Sequence, residues 1–170
     1  AEITIIYPAT RSTRQYLALA CADMLSQIGI KANVEGKRSW DEIKHLMHSE
    51  VIVFGWGSHD PIELYHLYNS KYAGDGWNNS GFYNNPVVDE YLEKAIAAPD
   101  YESSLTYWKK AQWDGTTGAS AQGDAPWAWL VNLDHVYFIN EHLDVGASQI
   151  EPHGHGWPIT ANIHQWKWID

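Results

Sequence analysis

Residues 2 to 34 constrain the fold more than any other stretch of the chain. Ile3, Ile5 and Tyr7 alternate with Glu2, Thr4 and Ile6, the period-two pattern of a strand. After Pro8, Ser12-Thr-Arg-Gln15 has the form of a capping box, with Ser12 as N-cap and Gln15 reaching back. Leu17, Ala20, Cys21, Met24, Leu25 and Ile28 then form a helical stripe, closed by Gly29. Ile30, Ala32 and Val34 alternate again. Two strands joined by a helix predict a parallel pair, because a helical crossover returns the chain to the same end of the sheet. The chain opens directly on a strand, without a basic n-region or cleavage site, as a mature chain or an excised piece would.

Further along, Ser39 predicts a short helix from Trp40 to Met47. Val51-Ile-Val-Phe54 is a continuous β-prone run, expected as a central strand covered on both faces. It ends in Gly55-Trp-Gly-Ser-His-Asp-Pro61, a turn at the carboxyl end of a strand, where α/β proteins bind ligands. Pro61 starts a helix carrying Leu64, Tyr65, Leu67 and Tyr68. Residues 70 to 85 read as a long ordered loop. Asn85 caps a helix with Pro86 at its first position, and Asp100 caps another that holds Leu105, Trp108 and Ala111. Trp127 to Val131 and His135 to Ile139 are strand candidates. With no internal repeat or linker, residues 1–170 are expected to form a single α/β domain.

Composition removes several function classes. Net charge is −10, which disfavours nucleic acid as a partner because phosphate neutralisation needs a basic surface. The single Cys21 cannot form an intrachain disulfide, and its place in the helical stripe suits a buried small apolar side chain. Ten Trp, ten Tyr and three Phe exceed ordinary usage; rings in such numbers serve a core or line a cleft for an organic ligand.

The chemistry candidates are few. Ser58, His59 and Asp60 are triad residue types, but consecutive side chains diverge instead of converging. No Gly-x-Ser-x-Gly elbow, phosphate loop or dinucleotide fingerprint is present, so no catalysis and no cofactor are expected. His45 and His48 share one helix face, which suits a solvated surface. His153 and His155 lie in a Gly/Pro segment where both rings could hold a soft metal, and His59 sits on the strand-end turn. A metal-dependent hydrolase built on His153 and His155 is the alternative class, and it requires a converging carboxylate.

The order of these pieces resembles a known family. It runs Tyr7-Pro8, the helix followed by Gly29-Ile30, Gly55-Trp56 with Asp60-Pro61, Tyr83-Asn-Asn-Pro-Val-Val-Asp89, Tyr107-Trp-Lys-Lys-Ala-Gln112 and Asp124-Ala-Pro126. This resembles the second lobe of the peptide/nickel class of periplasmic solute-binding proteins of ABC importers, the large family 5 receptors. Members are much longer, so the resemblance implies a C-terminal lobe whose N-terminal partner lobe is missing. It implies one lobe of a two-lobed periplasmic binding protein fold of class II type, a mixed sheet flanked by helices. Residues 146–170 are expected to pack with the missing lobe.

The resemblance also implies a function. The complete receptor would close two lobes on a peptide or small molecule in the periplasm, possess a membrane tether in its full-length form, and deliver the ligand to an ABC permease. Peptide-binding members carry an Asp three residues after the Gly-Trp tryptophan, paired with the peptide ammonium. Here that place is His59, with Asp60 next. Nickel-type members also lack that Asp, so nickel or another metal chelate is the alternative ligand. The residues expected at the ligand are Trp56, His59, Asp60, Trp77, Phe82 and Tyr83, with His59, His153 and His155 for a metal.

Overall fold

Strand β1 (Glu2–Pro8) runs through the centre of a three-stranded parallel sheet in the order β2-β1-β3. The structure is a computed structural model describing residues 1–56, 61–132, 136–147, 158–160 and 162–169. β2 (Lys31–Lys37) pairs with β1 along its whole length, from Glu2 opposite Lys31 to Pro8 opposite Lys37. The expected parallel crossover is thus present, carried by helix α1 (Ser12–Ser26).

Helix α1 begins and faces differently from the sequence expectation. Arg11, not Ser12, holds the N-cap position, and no side chain caps it. The Arg11 N–H donates to Pro8 O at 3.0 Å, so the chain turns early and Ser12 is already helical. At the other end Gly29, at φ +79°, lets the Ile30 N–H reach back to Leu25 O at 3.0 Å. The face on the sheet is Leu17, Ala18, Cys21, Ala22 and Leu25, packed with Ile5, Tyr7 and Val53. Met24 and Ile28 point outward. α1 is apolar almost all round, so periodicity alone cannot choose its inner face; the small Ala18 and Ala22 let it approach the sheet closely.

Helix α2 (Trp40–Leu46) is capped by Ser39, whose Oγ accepts from the Glu42 N–H at 3.3 Å. β3 (Val51–Ile52) is shorter than the run 51–54 and lies at the edge of the described sheet, with Val51 half exposed. The Val53 N–H still reaches Ile6 O at 2.9 Å, but the chain leaves the ladder at Phe54, whose ring enters an aromatic cluster.

A second core forms where α3 (Ile62–Tyr68), α4 (Pro86–Ile96) and α5 (Tyr101–Gln112) pack together. It buries Leu67, Val88, Leu92, Ala95, Trp108 and Ala111. Asn85 caps α4 by accepting from the Val87 and Val88 N–H groups at 3.0 and 3.3 Å. Asp100 caps α5 by accepting from the Ser103 N–H at 2.7 Å. The loop between α3 and α4 is ordered by buried Asn79. Its amide donates to Asn69 O at 3.1 Å and Tyr83 O at 2.8 Å, and its Oδ1 accepts from the Tyr83 N–H at 2.8 Å.

In the described parts of the strand candidates 127–131 and 135–139 no strand forms; residue 135 lies outside the described residues. These segments are β-prone, but they find no ladder among the described strands. Instead β4 (Leu143–Asp144) and β5 (Lys167–Trp168) make a separate antiparallel pair, so parallel and antiparallel strands occupy two sheets. None of the helices in the described residues is long and apolar enough to cross a membrane.

Asn79→Ala would leave three backbone groups of the loop without this partner, one of them buried and two part-buried. It is expected to cost about 2–3 kcal/mol in urea unfolding, and a loss below ~0.5 kcal/mol would show that the loop holds without it.

Candidate ligand-binding site

The chain passes from β1 through α1 to β2, then through α2 back across to β3 on the other side of β1. The reversal opens a crevice at the carboxyl ends of β1 and β3, the place where open parallel sheets bind ligands. The residues following those two strands therefore form the candidate site.

Aromatic rings converge there from four segments. Phe54, just beyond β3, stacks on Trp77 of the α3–α4 loop with centroids 5.5 Å apart and planes 8° from parallel. Trp40, the first residue of α2, meets both edge-on at 6.1 and 5.9 Å. Trp56 packs edge-on against Phe54 at 5.1 Å and against Trp127 at 4.7 Å. Trp129 continues the row. Such offset and edge-to-face contacts favour defined ring orientations.

One cation joins the rings. Arg14, in the first turn of α1, sets its guanidinium 4.8 Å from the Phe54 ring centroid. It also lies beside Gly55, where a Cβ would stand 3.5 Å from Nη2. Burial, and then the neighbouring Arg11 charge, pull the Arg14 pKa below its ordinary value. The group stays charged, because a guanidinium is not deprotonated in proteins.

The residues expected at the ligand are partly brought together. Trp56 and Trp77 both belong to the cluster. Phe82 sits apart, exposed at φ +54°, with its ring 5.7 Å from that of His48. Tyr83 is turned to the helical core: its ring meets Tyr68 and its hydroxyl donates to Asp124 at 2.7 Å. His59, Asp60, His153 and His155 lie outside the described residues. Among the described residues no three metal-ligating side chains come together. His45 and His48 line an open depression with Asp41, Lys44, Gly74 and Gly76.

Sequence reasoning missed Arg14, Trp40 and Phe54 at this place. Arg14 was hidden inside the apparent capping box, and Phe54 inside a strand run. Their shared feature, a position immediately beyond a parallel strand or at a helix start, is the signal that could have found them.

Comparison with known proteins places the fold. No family model matches the chain. It is 32% identical over 153 residues to Protein XP55 of Streptomyces lividans, covering 89% of this chain and 27% of that protein. NikZ from Campylobacter jejuni, solved in complex with Ni(L-His), superposes on 98% of this chain with a TM-score of 0.70 and 21% identity. The oligopeptide-binding protein AppA from Bacillus subtilis, solved with a nonapeptide, superposes on 64% with a TM-score of 0.54 and 19% identity. The chain spans 33% and 22% of those two structures and 27% of the Streptomyces protein. It has the α/β fold of one lobe of a periplasmic binding protein.

Two outcomes test this geometry. Trp77→Leu removes the stacked pair; it is expected to weaken the near-ultraviolet circular dichroism, leave the far-ultraviolet signal intact, and cost on the order of 1 kcal/mol. An unchanged near-ultraviolet spectrum would mean that the cluster is not ordered in solution.

Asp124 supplies a pH signature. Asn85 first, and then Tyr83, donate to its carboxylate and hold its pKa below the ordinary value. A carboxyl depressed in the folded state adds stability above its unfolded pKa near ~4, and that stability is lost as pH falls through the lowered folded value. Asp124→Asn is expected to flatten thermal stability against pH in that acid window, and an unaltered slope would remove Asp124 as a contributor.

Proposed function

We propose that this chain is a ligand-binding lobe of an extracytoplasmic solute receptor, one that catalyses nothing and hands its solute to an ABC permease. The observation that carries the reading is the aromatic, arginine-bearing face at the crevice between β1 and β3. Such a face is half a cleft. A second lobe closing over it by a hinge would bury the solute, as two-lobed binding proteins do. The binding roles named for the structures that share the fold support the same reading.

The solute on this reading is a peptide or a metal chelate. Asp60 or His59, immediately after Trp56, would hold one end of it, with Trp56 and Trp77 as walls. One observation favours the chelate. The likeness to NikZ runs over 98% of the chain, whereas the AppA likenesses run over 64% and 66%. A neutral imidazole at His59 also suits a metal or a carboxylate better than an ammonium. His153 and His155 are further candidate ligands to such a metal.

Native mass spectrometry of the full-length receptor purified from its own envelope tests the reading. A heterogeneous set of peptide masses supports peptide capture; one small mass with a metal isotope pattern supports the chelate. A receptor that carries no extra mass and takes up neither a peptide mixture nor nickel with histidine overturns the solute reading. Replacing both His59 and Asp60 by Ala is expected to weaken binding in that receptor by roughly tenfold or more, and unchanged affinity in calorimetry would remove them as the anchor.

A further inference from the structure

The chain has only three arginines, Arg11, Arg14 and Arg38. All three stand at the same edge of the sheet. Arg11 lies between β1 and α1, Arg14 in the first turn of α1, and Arg38 between β2 and α2. Arg11 and Arg38 are exposed, and Arg14 is half-buried.

Their pairing is the unusual part. The chain carries 21 carboxylate residues and a net charge of −10. Among the described residues every ion pair uses a lysine or a histidine: Lys31, Lys37, Lys71, Lys94, Lys167 and His142. No arginine joins one. Arginine is the better carboxylate partner of the two cations, because its planar fork matches both oxygens. In a chain rich in carboxylates, the cations best suited to them join no ion pair among the described residues, and all three follow strands or open a helix at the carboxyl edge of the sheet, Arg14 in contact with the aromatic cluster.

Arg11 and Arg14 also lie near enough to repel each other, which lowers the Arg14 pKa further. Like charges held together, one of them half-buried, are destabilising unless an opposite charge compensates. The Arg14 guanidinium lies over the Phe54 ring, 4.8 Å from its centroid, and Phe54 in turn stacks on Trp77. The guanidinium thus rests on a ring and joins no ion pair among the described residues.

We propose that the solute taken at this edge is a multiply charged organic carboxylate, with Arg14 binding one carboxylate through both oxygens and Arg11 and Arg38 flanking the others. The proposal rests on the solute-binding reading and deepens it. A zwitterionic peptide would bring an ammonium toward three unpaired cations, which a polycarboxylate or a carboxylate-rich chelate avoids. The Phe54, Trp40 and Trp77 rings match the carbon body of such a solute, which an inorganic anion lacks.

The test is a fluorescence titration of the full-length receptor with citrate, inorganic sulfate and triglycine at constant ionic strength, read at its tryptophans. Citrate is expected to give a saturable change that neither sulfate nor triglycine gives at the same concentration. Arg14→Gln is expected to weaken citrate by roughly tenfold, and Arg11→Gln and Arg38→Gln by less. Arg14→Lys keeps the charge and loses the fork, so it should fall between wild type and Arg14→Gln. Lys31→Gln, at the opposite end of the sheet, should change nothing; thermal melts check that each variant folds. A response to sulfate equal to that of citrate, or citrate binding untouched by Arg14→Gln, overturns the proposal. Preference for triglycine with sensitivity to Trp77→Leu overturns the charge assignment while the solute reading stands. No response to citrate overturns the charge assignment as well, and the solute reading is then decided by native mass spectrometry.

Discussion

The parallel hydrogen-bond ladder of β1 is the constraint on which the rest of the structure depends. β1 is the one described strand with a partner on both edges, and its side chains are covered on both faces. Ile5 and Tyr7 meet α1 on one face; α2 packs on the strand from the other side, where Ile6, Ile43 and Met47 are buried. Parallel pairing in turn requires each connection to cross back over the sheet. Two crossovers taken to opposite sides of β1 create the crevice, so the candidate site is a consequence of connectivity before any side chain is chosen.

The side chains then decide what the crevice can hold. Rings drawn from α2, from the end of β3, from the α3–α4 loop and from residue 127 onward interlock through edge and stacked contacts. No one of these segments is held by backbone pairing to the next, so the cluster joins the β1 core to the helical core. Arg14 is attached to it through Phe54 instead of through a carboxylate. A guanidinium over a ring keeps its in-plane donors unspent, whereas an ion pair would have consumed them. That difference separates a cation engaged in ion pairs, such as Lys37 between Glu35 and Glu42, from Arg14, which rests on a ring.

The sequence made the local features legible. The caps at Ser39, Asn85 and Asp100 were readable because each is one side chain meeting an N–H two or three residues away. The parallel pairing of β1 and β2 followed from the helix between them. The inner face of α1 was not readable, because the helix offers apolar residues on both sides and only the sheet selects Ala18 and Ala22. The fate of 127–131 was not readable either: a β-prone run becomes a strand only where a partner edge exists. Trp56 and Trp77 stand out by position on turn and loop, but their meeting through Phe54 is a contact between distant segments that no spacing encodes.

The placement of charge bears on how an acidic protein could take the anionic solute proposed above. At physiological salt, interactions between exposed charges fade beyond about 8 Å, so carboxylates on distant helix faces contribute little at the crevice. Glu35 and Glu42 share the single cation of Lys37, which offsets part of their charge. At contact range this edge presents Arg11, Arg14 and Arg38 together with Asp41 at the start of α2, a local balance that the net charge of −10 does not describe. The negative charge on the remaining surfaces serves solubility and disfavours anions there.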